Sequence, residues 1–452
     1  MHPSIFKTYD IRGIYPLEIN EEDAFRIAQA FALMLKPKNV ALGRDVRSSS
    51  GALWESTKEG LINAWVNVID IGVISTDMLF FAVANYNFDG GITITSSHNP
   101  REYNGMKLVG KGSAPIFQDH LLPEIQKIAL NPNFAPVKNP SGNVTAKNIF
   151  DDYAEKIKSF AVLSNLKPKK VLLNANFGLA GKIFQKILAG TPIKFIELNC
   201  EPDGNFPKGR PDPLVPENRE ETRVKMRESG AELGFAWDAD ADRCFIYDEN
   251  GNDVEGCFLG ALLAKIILEK NPESNKKIIY DPRIVWTLAE TIKNNGGTPI
   301  PSKVGHAIIK AKMREEGALA ALESSGHYYF RDYFFCDNGM IPAILVLSYL
   351  NEKNISLSQA LRPITSQYFV SGEINFELEN KDEIISKLKG KYAEGQVEEI
   401  DGISISYSDW RFNVRKSNTE PLLRLNIETR SQERLEEKRK ELVDLINEWK
   451  NK

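Results

Sequence analysis

The chain has 452 residues, of which 42% are hydrophobic and 26% charged, so it can bury the cores of about three or four domains and is not expected to be disordered. The formal net charge of −4 argues against a nucleic-acid or membrane partner, because both usually require a basic surface. The four cysteines form no CxxC pair, the first residues of the sequence lack the apolar segment that is typical of a signal peptide, and no apolar run of about 18 residues occurs. We therefore expect a cytoplasmic protein with reduced cysteines.

Short apolar strands alternate with amphipathic helices in the first part of the chain, which is typical of α/β folds. Asn20 is expected to cap a helix whose apolar face includes Ala24, Ile27 and Phe31. A stretch rich in proline and asparagine at 131–143 is the first candidate linker. The other elements predicted before it are strands at 39–42, 68–74 and 91–95 and a helix at 52–64.

The same alternation continues through the middle of the chain. Five prolines in the segment 201–218 argue against regular structure there. After a predicted domain boundary at 359–372, fewer helices separate the strands, which predicts a small α+β domain. The elements predicted in these parts are strands at 171–173, 193–198, 278–280, 374–378, 403–407 and 422–427, and helices at 183–188, 258–270 and from Gln432.

Three acidic residues, Asp238, Asp240 and Asp242, stand at alternate positions between two apolar segments that are predicted to be strands. Side chains at alternate positions of an extended backbone point the same way, so the carboxylates can converge, and a hard cation such as Mg²⁺ would relieve their repulsion. A solvated acidic turn is the plainer alternative. A calcium EF-hand is disfavoured, because Arg243 stands where that loop needs glycine and because the flanking segments resemble strands.

The segment TSSHNP at 95–100 follows a predicted buried strand. Because loops at the carboxyl ends of strands bind ligands in α/β proteins, Ser97 is a candidate nucleophile next to an imidazole. The segment is also explained as an ordinary turn, and it lacks the GxSxG pattern of an α/β-hydrolase. Residues 103–107 are expected to form a tight turn that brings the ammonium group of Lys107 to the same place.

Three further polar segments interrupt apolar surroundings: GH at 305–306, ESSGH at 323–327 and RKSNTEP at 415–421. Glu323 and Ser325 combine an acceptor with a donor, which suits adjacent sugar hydroxyls. Arg415, together with hydroxyl, amide and backbone N–H groups, suits a phosphate. Taken singly, each segment is better explained as an ordinary loop than as a site.

Together these segments resemble the α-D-phosphohexomutases, in particular the phosphomannomutase/phosphoglucomutase group. The resemblance covers nearly the whole chain and depends on five segments that occur in the family's order. They are KTYDIRG at 7–13, TSSHNP at 95–100, DADADR at 238–243, ESSGH at 323–327 and RKSNTEP at 415–421.

The resemblance implies an α/β fold with a heart-shaped four-domain architecture. Three α/β domains of shared topology and a smaller α+β C-terminal domain would surround one cleft. We place these domains at 1–149, 150–253, 254–367 and 368–452. They are expected to carry, in that order, the phosphoserine, metal-binding, sugar-binding and phosphate-binding loops.

The resemblance also implies roles for individual residues. Ser97 matches the phosphorylated serine, and its phosphate is expected to complete a site for one Mg²⁺ ion formed by Asp238, Asp240 and Asp242. The residues expected around the transferring phosphoryl group are Arg12, His98, Lys107 and Arg243, of which either His98 or Lys107 would carry the proton. The residues expected to bind the sugar phosphate are Tyr9, Arg283, Gly305, His306, Glu323, Ser325, His327, Arg415, Ser417, Asn418 and Thr419.

The implied activity is the interconversion of hexose 1-phosphate and hexose 6-phosphate, with mannose or glucose as the sugar and hexose 1,6-bisphosphate as intermediate and activator. Phosphoglucosamine mutase is an alternative, because Ser324 stands where the family often has Met or Gln. A Mg²⁺-dependent sugar phosphatase is a more distant one. The sequence does not indicate an oligomeric state, and a monomer is compatible with it. Since Ala239 and Ala241 replace frequent glycines of the family, the metal loop is expected to use backbone angles that alanine tolerates.

Overall fold

The computed structural model describes residues 1–134, 137, 141–272, 275–417 and 421–450. As far as it describes them, the residues form two compact units. Unit 1 comprises Met1–Asp253 and His327–Ser356, and unit 2 comprises Val254–Gly326 and Leu357–Lys452. The domain boundaries that we place after residues 149, 253 and 367 stay predictions.

The first part of unit 1 is a six-stranded sheet with strand order β1-β5-β4-β2-β3-β6, in which β1 and β5 are antiparallel to their neighbours and the other pairs are parallel. Asn20 caps α1 as predicted, through a capping box with Asp23. The elements are β1 (Ile11–Ile14), α1 (Glu21–Leu35), β2 (Asn39–Arg44), α2 (Ser50–Asn63), β3 (Asn67–Val73), α3 (Thr76–Asn85), β4 (Gly90–Ile94), β5 (Tyr103–Gly110), α4 (Leu122–Leu130) and β6 (Val144–Ala146).

The turn predicted at 103–107 is wrong, because this segment is the start of β5. The reason is the tight approach of β5 to β1. A Cβ atom at Gly105 would lie 1.9 Å from the carbonyl oxygen of Ile11, so only glycine lets the two strands pair here. The neighbouring Asn104 is buried and donates to the hydroxyls of Ser49 and Ser50. Lys107 therefore lies on a strand, with a position set by the sheet.

The second part of unit 1 is a four-stranded sheet of order β10-β9-β7-β8, in which only the β9–β10 pair is antiparallel. The segment 201–218 is not wholly irregular, because α7 begins at Pro216. The first position of a helix needs no N–H group, so proline fits there. The elements are α5 (Phe150–Lys158), β7 (Lys169–Asn174), α6 (Ala180–Ile187), β8 (Ile193–Leu198), α7 (Pro216–Ser229), β9 (Leu233–Trp237) and β10 (Cys244–Tyr247).

Unit 2 begins with parallel strands in the order β12-β11-β13 and with three helices. These elements are α8 (Gly256–Lys270), β11 (Lys277–Tyr280), α9 (Trp286–Asn294), β12 (Thr298–Pro301), α10 (His306–Glu316) and β13 (Ala320–Leu322). The chain then contributes to unit 1 the antiparallel pair β14 (Tyr328–Phe330) and β15 (Cys336–Asp337), followed by the helix α11 (Met340–Lys353).

The rest of unit 2 is an antiparallel sheet of order β16-β20-β19-β18-β17 with helices, as predicted for a small α+β domain. The predicted boundary at 359–372 lies largely within regular structure, since α12 and β16 both extend into it. The elements are α12 (Leu357–Thr365), β16 (Phe369–Glu377), α13 (Lys381–Lys391), β17 (Gln396–Glu398), β18 (Ile403–Ser406), β19 (Trp410–Lys416), β20 (Leu422–Thr429) and α14 (Gln432–Lys450).

Mixed sheets with flanking helices confirm the predicted α/β class. Within the described ranges, every helix is too short or too polar to cross a membrane.

Candidate active site

Ser97 lies in the loop that follows β4, and its backbone has an unusual conformation. Its φ angle is +52°, in the left-handed region that a non-glycine residue occupies at a cost of about 1–3 kcal/mol. Its N–H donates to Thr95 Oγ1 at 2.9 Å, and its hydroxyl is hydrogen-bonded to His98 Nδ1 at 3.1 Å. The side chain is buried. A strained, buried hydroxyl next to an imidazole is suited to covalent chemistry.

The guanidinium of Arg47 holds this loop, and the sequence analysis missed it. It donates to four backbone carbonyls, those of Ser97 (2.6 Å), Asn99 (2.7 Å), Pro100 (2.7 Å) and Tyr103 (3.1 Å). Its Nε pairs with Asp45 at 3.2 Å, and the side chain is buried. Arg47 therefore satisfies the backbone carbonyls of the loop that carries Ser97, although Arg47 itself lies after a different strand, β2. An Asp-x-Arg pair just after the buried strand β2 was the available sequence signal.

Arg12, on β1, brings a second guanidinium to the serine loop. It donates from Nε and NH2 to Asp10 at 2.8 and 2.6 Å, and from NH1 to Asn99 Oδ1 at 2.7 Å and to the carbonyl of Ser96 at 3.4 Å. Burial alone would lower the pKa of Arg12, but Asp10, together with Asp240 and Asp242, raises it above its ordinary value. The group is a fixed cation.

The carboxylates of Asp238, Asp240 and Asp242 converge in the turn between β9 and β10. All three are buried, and one oxygen of each lies within 4.8 Å of the others. Lys107 Nζ donates to Asp240 Oδ2 and to Asp242 Oδ2, both at 2.6 Å, and Arg243 Nε donates to Asp238 Oδ2 at 2.8 Å. Burial alone would lower the pKa of Lys107, but the two carboxylates hold it above its ordinary value.

The remaining oxygens of this cluster fit a divalent cation. Oδ1 of Asp240 and Oδ1 of Asp242 are buried and accept no hydrogen bond from the residues described. Burial raises the pKa of Asp238 well above its ordinary value, Arg243 opposes this, and the two neighbouring carboxylates add to the rise. Buried acceptors left unsatisfied among crowded carboxylates are costly, and hard oxygen ligands are those that Mg²⁺ prefers.

The loop that carries the three aspartates, residues 238–243, departs from the expectation that its alanines adopt backbone angles that alanine tolerates. Ala241 has a φ of +58°, in the left-handed region, so it does not use angles that alanine adopts easily. The loop is packed closely enough to hold it there. A Cβ atom at Gly178 would lie 2.3 Å from the carbonyl oxygen of Ala239, and one at Gly339 would lie 2.4 Å from that of Ala241. Glycines on two other segments therefore allow the loop to be enclosed.

Thr76, at the start of α3, forms two hydrogen bonds with Asp240. The sequence did not indicate this residue. Its backbone N–H, one of the unbonded donors of a helix start, donates to the carbonyl of Asp240 at 3.0 Å. Its hydroxyl donates to Asp240 Oδ2 at 2.6 Å. The Asp240 carboxylate is thus held at Oδ2 by Thr76 and Lys107, while its Oδ1 is left for another partner.

The next residue, Asp77, ties the start of α3 to two other segments of unit 1. Its carboxylate accepts from Tyr153 at 2.5 Å, from Asn338 at 2.6 Å and from Ser75. Burial raises the pKa of Asp77 to about 7, although these hydrogen bonds favour the ionised form. This network fixes the first turn of α3, from which Thr76 contacts Asp240.

Two histidines lie at the edges of the same cluster. Burial, followed by the nearby cations Arg243 and Arg12, lowers the pKa of His98 well below its ordinary value, so its imidazole is neutral. His327 Nε2 is 3.7 Å from Asp242 Oδ1. Arg243 also approaches Asp212 at 3.4 Å, which the sequence analysis did not single out.

In unit 2, Arg283 is held by two buried carboxylates. Its Nε and NH2 donate to Asp281, both at 2.9 Å, and its NH2 lies 3.3 Å from Glu323 Oε1. Burial alone would lower the pKa of Arg283, but Asp281 and Glu323 raise it. The predicted basic residue and the predicted sugar-binding carboxylate are therefore direct neighbours.

Arg415, at the end of β19, is buried with few partners. Its NH1 is 3.5 Å from the carbonyl of Lys416, its NH2 is 3.7 Å from Glu373, and its Nε has no hydrogen-bond partner among the residues described. Burial, then the neighbouring Arg283, lowers the pKa of Arg415. A buried guanidinium with unfilled donors is suited to bind an anion.

The other predicted binding residues are distributed as follows. Gly305 precedes α10 with a φ of +134°, and His306 is the first residue of that helix. Asn418 and Thr419 lie outside the described residues. The structure places Tyr9, Arg12, Ser97, His98, Lys107, Asp238, Asp240, Asp242, Arg243 and His327 in unit 1, and Arg283, Gly305, His306, Glu323, Ser325, Arg415 and Ser417 in unit 2.

Comparison with known families gives four matches along the chain. They are the phosphoglucomutase/phosphomannomutase alpha/beta/alpha domains I (residues 3–135), II (151–251) and III (255–368) and the C-terminal domain of the same family (373–445). The resemblance inferred from the five segments is thereby confirmed.

Individual proteins similar to the chain agree with these matches. A phosphomannomutase of Salmonella montevideo is 43% identical over 98% of both chains, and phosphohexose mutases of Xanthomonas campestris are 41% identical over 98% of both. A crystal structure of a phosphoglucomutase/phosphomannomutase family protein from Burkholderia thailandensis superposes with a TM-score of 0.88 at 30% identity, covering 99% of this chain and 97% of that one. The chain therefore belongs to the phosphoglucomutase/phosphomannomutase family of hexose phosphate mutases, enzymes that are phosphotransferases and isomerases.

Proposed function

We propose that this enzyme interconverts the 1-phosphates and 6-phosphates of mannose and glucose through a phosphorylated Ser97. The observation that carries the proposal is the site in unit 1. There a serine with a strained backbone lies in a loop fixed by Arg47 and Arg12, and a buried cluster of carboxylates retains two oxygens without partners among the described residues. The similarity to the Salmonella phosphomannomutase supports mannose as one sugar.

The first transfer begins from phospho-Ser97 and a hexose monophosphate. The bond between Ser97 Oγ and phosphorus breaks while a free hydroxyl oxygen of the sugar forms the new bond to phosphorus. The hydroxyl proton passes to the neutral imidazole of His98, which gives a proton to Ser97 Oγ as that oxygen leaves, so Ser97 ends as a protonated hydroxyl. Lys107 is already an ammonium that donates to Asp240 and Asp242, so it cannot accept the proton. The product is hexose 1,6-bisphosphate. After the bisphosphate has turned, its other phosphoryl group returns to Ser97, and the isomeric monophosphate leaves.

Charge neutralisation is the main requirement of phosphoryl transfer. Arg12 and Arg243 are cations held in place by Asp10 and Asp238, so they can stabilise the moving phosphoryl group without rearranging. Asp238, Asp240 and Asp242, with a phosphate oxygen on Ser97, would hold Mg²⁺. When bound there, Mg²⁺ supplies further stabilisation of the charge that develops on the phosphoryl oxygens.

A mutase also needs a grip on the phosphate that is not transferred. We assign this role to Arg415, Ser417, Asn418 and Thr419, because Arg415 is buried and has, among the described residues, one carboxylate at 3.7 Å and no hydrogen-bond partner for its Nε. Glu323 and Ser325 would bind sugar hydroxyls, with Tyr9, Arg283, Gly305, His306 and His327 as further substrate contacts. One phosphate grip can serve both halves of the reaction, since each monophosphate presents its non-reacting end to it.

The test is a substrate comparison. The purified enzyme, primed with a trace of glucose 1,6-bisphosphate, is given the 1-phosphates of mannose, glucose and glucosamine in turn, and both 6-phosphate and inorganic phosphate are measured. We expect 6-phosphate from mannose and glucose without matching phosphate release. Phosphate release equal to the sugar consumed would indicate a phosphatase instead. Turnover of glucosamine 1-phosphate alone would indicate a phosphoglucosamine mutase.

A further inference from the structure

One carboxylate in unit 2, that of Glu373 on β16, faces three guanidinium groups. Its Oε2 is 3.7 Å from NH1 of Arg283 and 3.7 Å from NH2 of Arg415, and its Oε1 is 3.2 Å from NH1 of Arg424. The side chain of Glu373 is 26% exposed, whereas that of Arg415 is 3% exposed. A partly exposed anion therefore lies over a buried cation.

The strand register explains how these groups come together. Arg415 on β19 pairs with Arg424 on β20, and Glu373 on β16 pairs with Asn426, two residues further along β20. Residues two apart on a strand share a face, so Glu373, Arg424 and Arg415 lie on the same face of this sheet. A β-bulge lies between Val370 and Glu373, and Gly372 within it has a φ of +67°. The bulge shifts the register of β16 against β20 just before Glu373.

The partners of Arg283 and Arg415 differ in a way that matters for binding. Arg283 has a bidentate contact with Asp281 at 2.9 Å, so its charge is already matched. Arg415 has only Glu373 as a carboxylate partner within ion-pair distance among the described residues, and at 3.7 Å this contact is too long for a hydrogen bond. Glu373 thus offsets the charge of Arg415 without accepting a hydrogen bond from its guanidinium.

We propose that Glu373 is an internal counter-anion that competes with the substrate phosphate for Arg415 and so sets how tightly that phosphate is held. This inference rests on the proposed role of Arg415. A phosphate dianion offers more acceptor oxygens and more charge than one carboxylate, so it displaces the contact with Glu373 when it binds. The displaced carboxylate still repels the phosphate. The repulsion limits its affinity and favours release of the bisphosphate for turning.

The sign of the effect separates this role from a structural one. If Glu373 competes with phosphate, removing its charge strengthens phosphate binding. If Glu373 only orients the arginines, removing its charge loosens them and weakens binding. Competition also predicts that kcat falls together with KM, because a bisphosphate that is held more tightly turns more slowly.

The experiment measures glucose 1-phosphate binding by calorimetry in a Ser97→Ala background, where no transfer occurs. Glu373→Gln should lower the dissociation constant about two- to fivefold, as expected for a partly exposed charge. Arg415→Ala should raise it, and adding Glu373→Gln to Arg415→Ala should then change little. Glu377→Gln, which removes the same charge from an exposed position of β16, is the matched control and should leave the constant unchanged.

Each other outcome has a defined meaning. Weaker or unchanged binding in Glu373→Gln, with Arg415→Ala impaired, would overturn the counter-anion role alone. Normal binding in Arg415→Ala would overturn the proposed phosphate grip and this inference with it. Melting curves check that the variants fold. Glu373→Met, which has a similar length and no charge, should bind as tightly as Glu373→Gln and replaces it if the amide variant is unstable.

Discussion

The cations that we place around the transferring phosphoryl group in unit 1 and Arg415, which we assign to phosphate binding in unit 2, are paired in different ways. In unit 1, Lys107 lies 2.6 Å from Asp240 and from Asp242, and Arg243 lies 2.8 Å from Asp238, so each cation already forms charge-assisted hydrogen bonds. In unit 2, Arg415 has its carboxylate neighbour at 3.7 Å and one nitrogen without a partner among the described residues. The first arrangement fixes reacting groups before substrate arrives. The second leaves a cation for the substrate to complete.

The backbones of the two regions differ in the same sense. In unit 1, the left-handed positions of the site are occupied by Ser97 and Ala241, which pay for that conformation, and contacts from other segments hold them. In unit 2, the corresponding positions before α10 and in β16 are Gly305 and Gly372, which adopt positive φ freely. Of these four positions, the two with a strained backbone are those where we place the chemistry.

Replacing the proposed nucleophile gives the largest expected effect. Ser97→Ala should lower mutase activity by roughly three powers of ten or more, because no group remains to carry the phosphoryl intermediate. Its melting temperature should be close to that of the wild type. Mass spectrometry of the wild-type enzyme should find phosphate on Ser97, and the Ser96→Ala control should retain it there. Phosphate found solely on another residue would disprove the assignment.

The second largest effect is expected from removing the metal ion or the charge of one of its proposed carboxylate ligands. Asp240→Asn should slow phosphoryl transfer by about two to three powers of ten, because the proposed ligand loses its charge and presents an NH₂ group in a cluster where Lys107 already donates. Asp248→Asn is the control, since Asp248 is also buried but only bonds the turn after β10. Full wild-type activity in excess chelator would show that no metal takes part.

The residues that we propose to react were singled out from the sequence, whereas several of the residues that hold them in place were not. The spacing of Asp238, Asp240 and Asp242 predicted that their carboxylates converge, but the predicted extended backbone is wrong, because the three residues lie in a turn with Ala241 at a φ of +58°. Arg47 and Thr76 could not be found that way, since their contacts are with Ser97 and Asp240, which lie 50 and 164 residues away in the chain. Such contacts are set by tertiary packing. The Asp-x-Arg pair after β2 indicates that Arg47 is paired with Asp45, but it does not show which loop Arg47 holds.

The errors in predicted structure have a related cause. The segment that became β5 contains an Asn-Gly pair, a common turn signal, but Gly105 serves there to let two strands approach closely. Likewise Pro216 was counted among residues that prevent regular structure, although it begins α7. The role of Gly105 depends on the strand that packs against it, and that of Pro216 on its position at the start of a helix.

Replacing Arg415 tests the proposal that the substrate phosphate completes the pairing of this guanidinium in unit 2. Arg415→Ala should lower kcat/KM about 10- to 100-fold, since one charge-assisted contact contributes about 1.5–3 kcal/mol. The loss should be similar for 1-phosphates and 6-phosphates, because each presents its non-reacting phosphate to the same group. Arg430→Ala, which removes a more exposed arginine that is paired with Glu290, is the control. An effect on one substrate alone would contradict a shared phosphate grip.

Thr76 tests whether contacts within unit 1 fix the metal ligands in advance. Thr76→Val removes the hydroxyl that donates to Asp240 Oδ2 at 2.6 Å but keeps the branched shape and the backbone N–H contact. The carboxylate would then be held at that oxygen by Lys107 alone and could rotate, so its unpartnered Oδ1 would no longer be aimed at the cation. Loss of such an outer contact typically weakens metal binding about tenfold.

The measurement is Mn²⁺ affinity by electron paramagnetic resonance, which needs no turnover, together with the melting temperature. Thr57→Val is the matched control, because Thr57 is also buried in unit 1 but donates only to the carbonyl of Leu53 within α2. Thr76→Val and Thr57→Val should lose similar stability, since each loses one buried hydrogen bond, but only Thr76→Val should bind Mn²⁺ more weakly. Thr76→Ser, which restores the hydroxyl, should restore the affinity. Equal Mn²⁺ affinities in the two valine variants would mean that Lys107 and the loop backbone suffice to orient Asp240, and that the close pairing in unit 1 stabilises the fold without tuning the metal site.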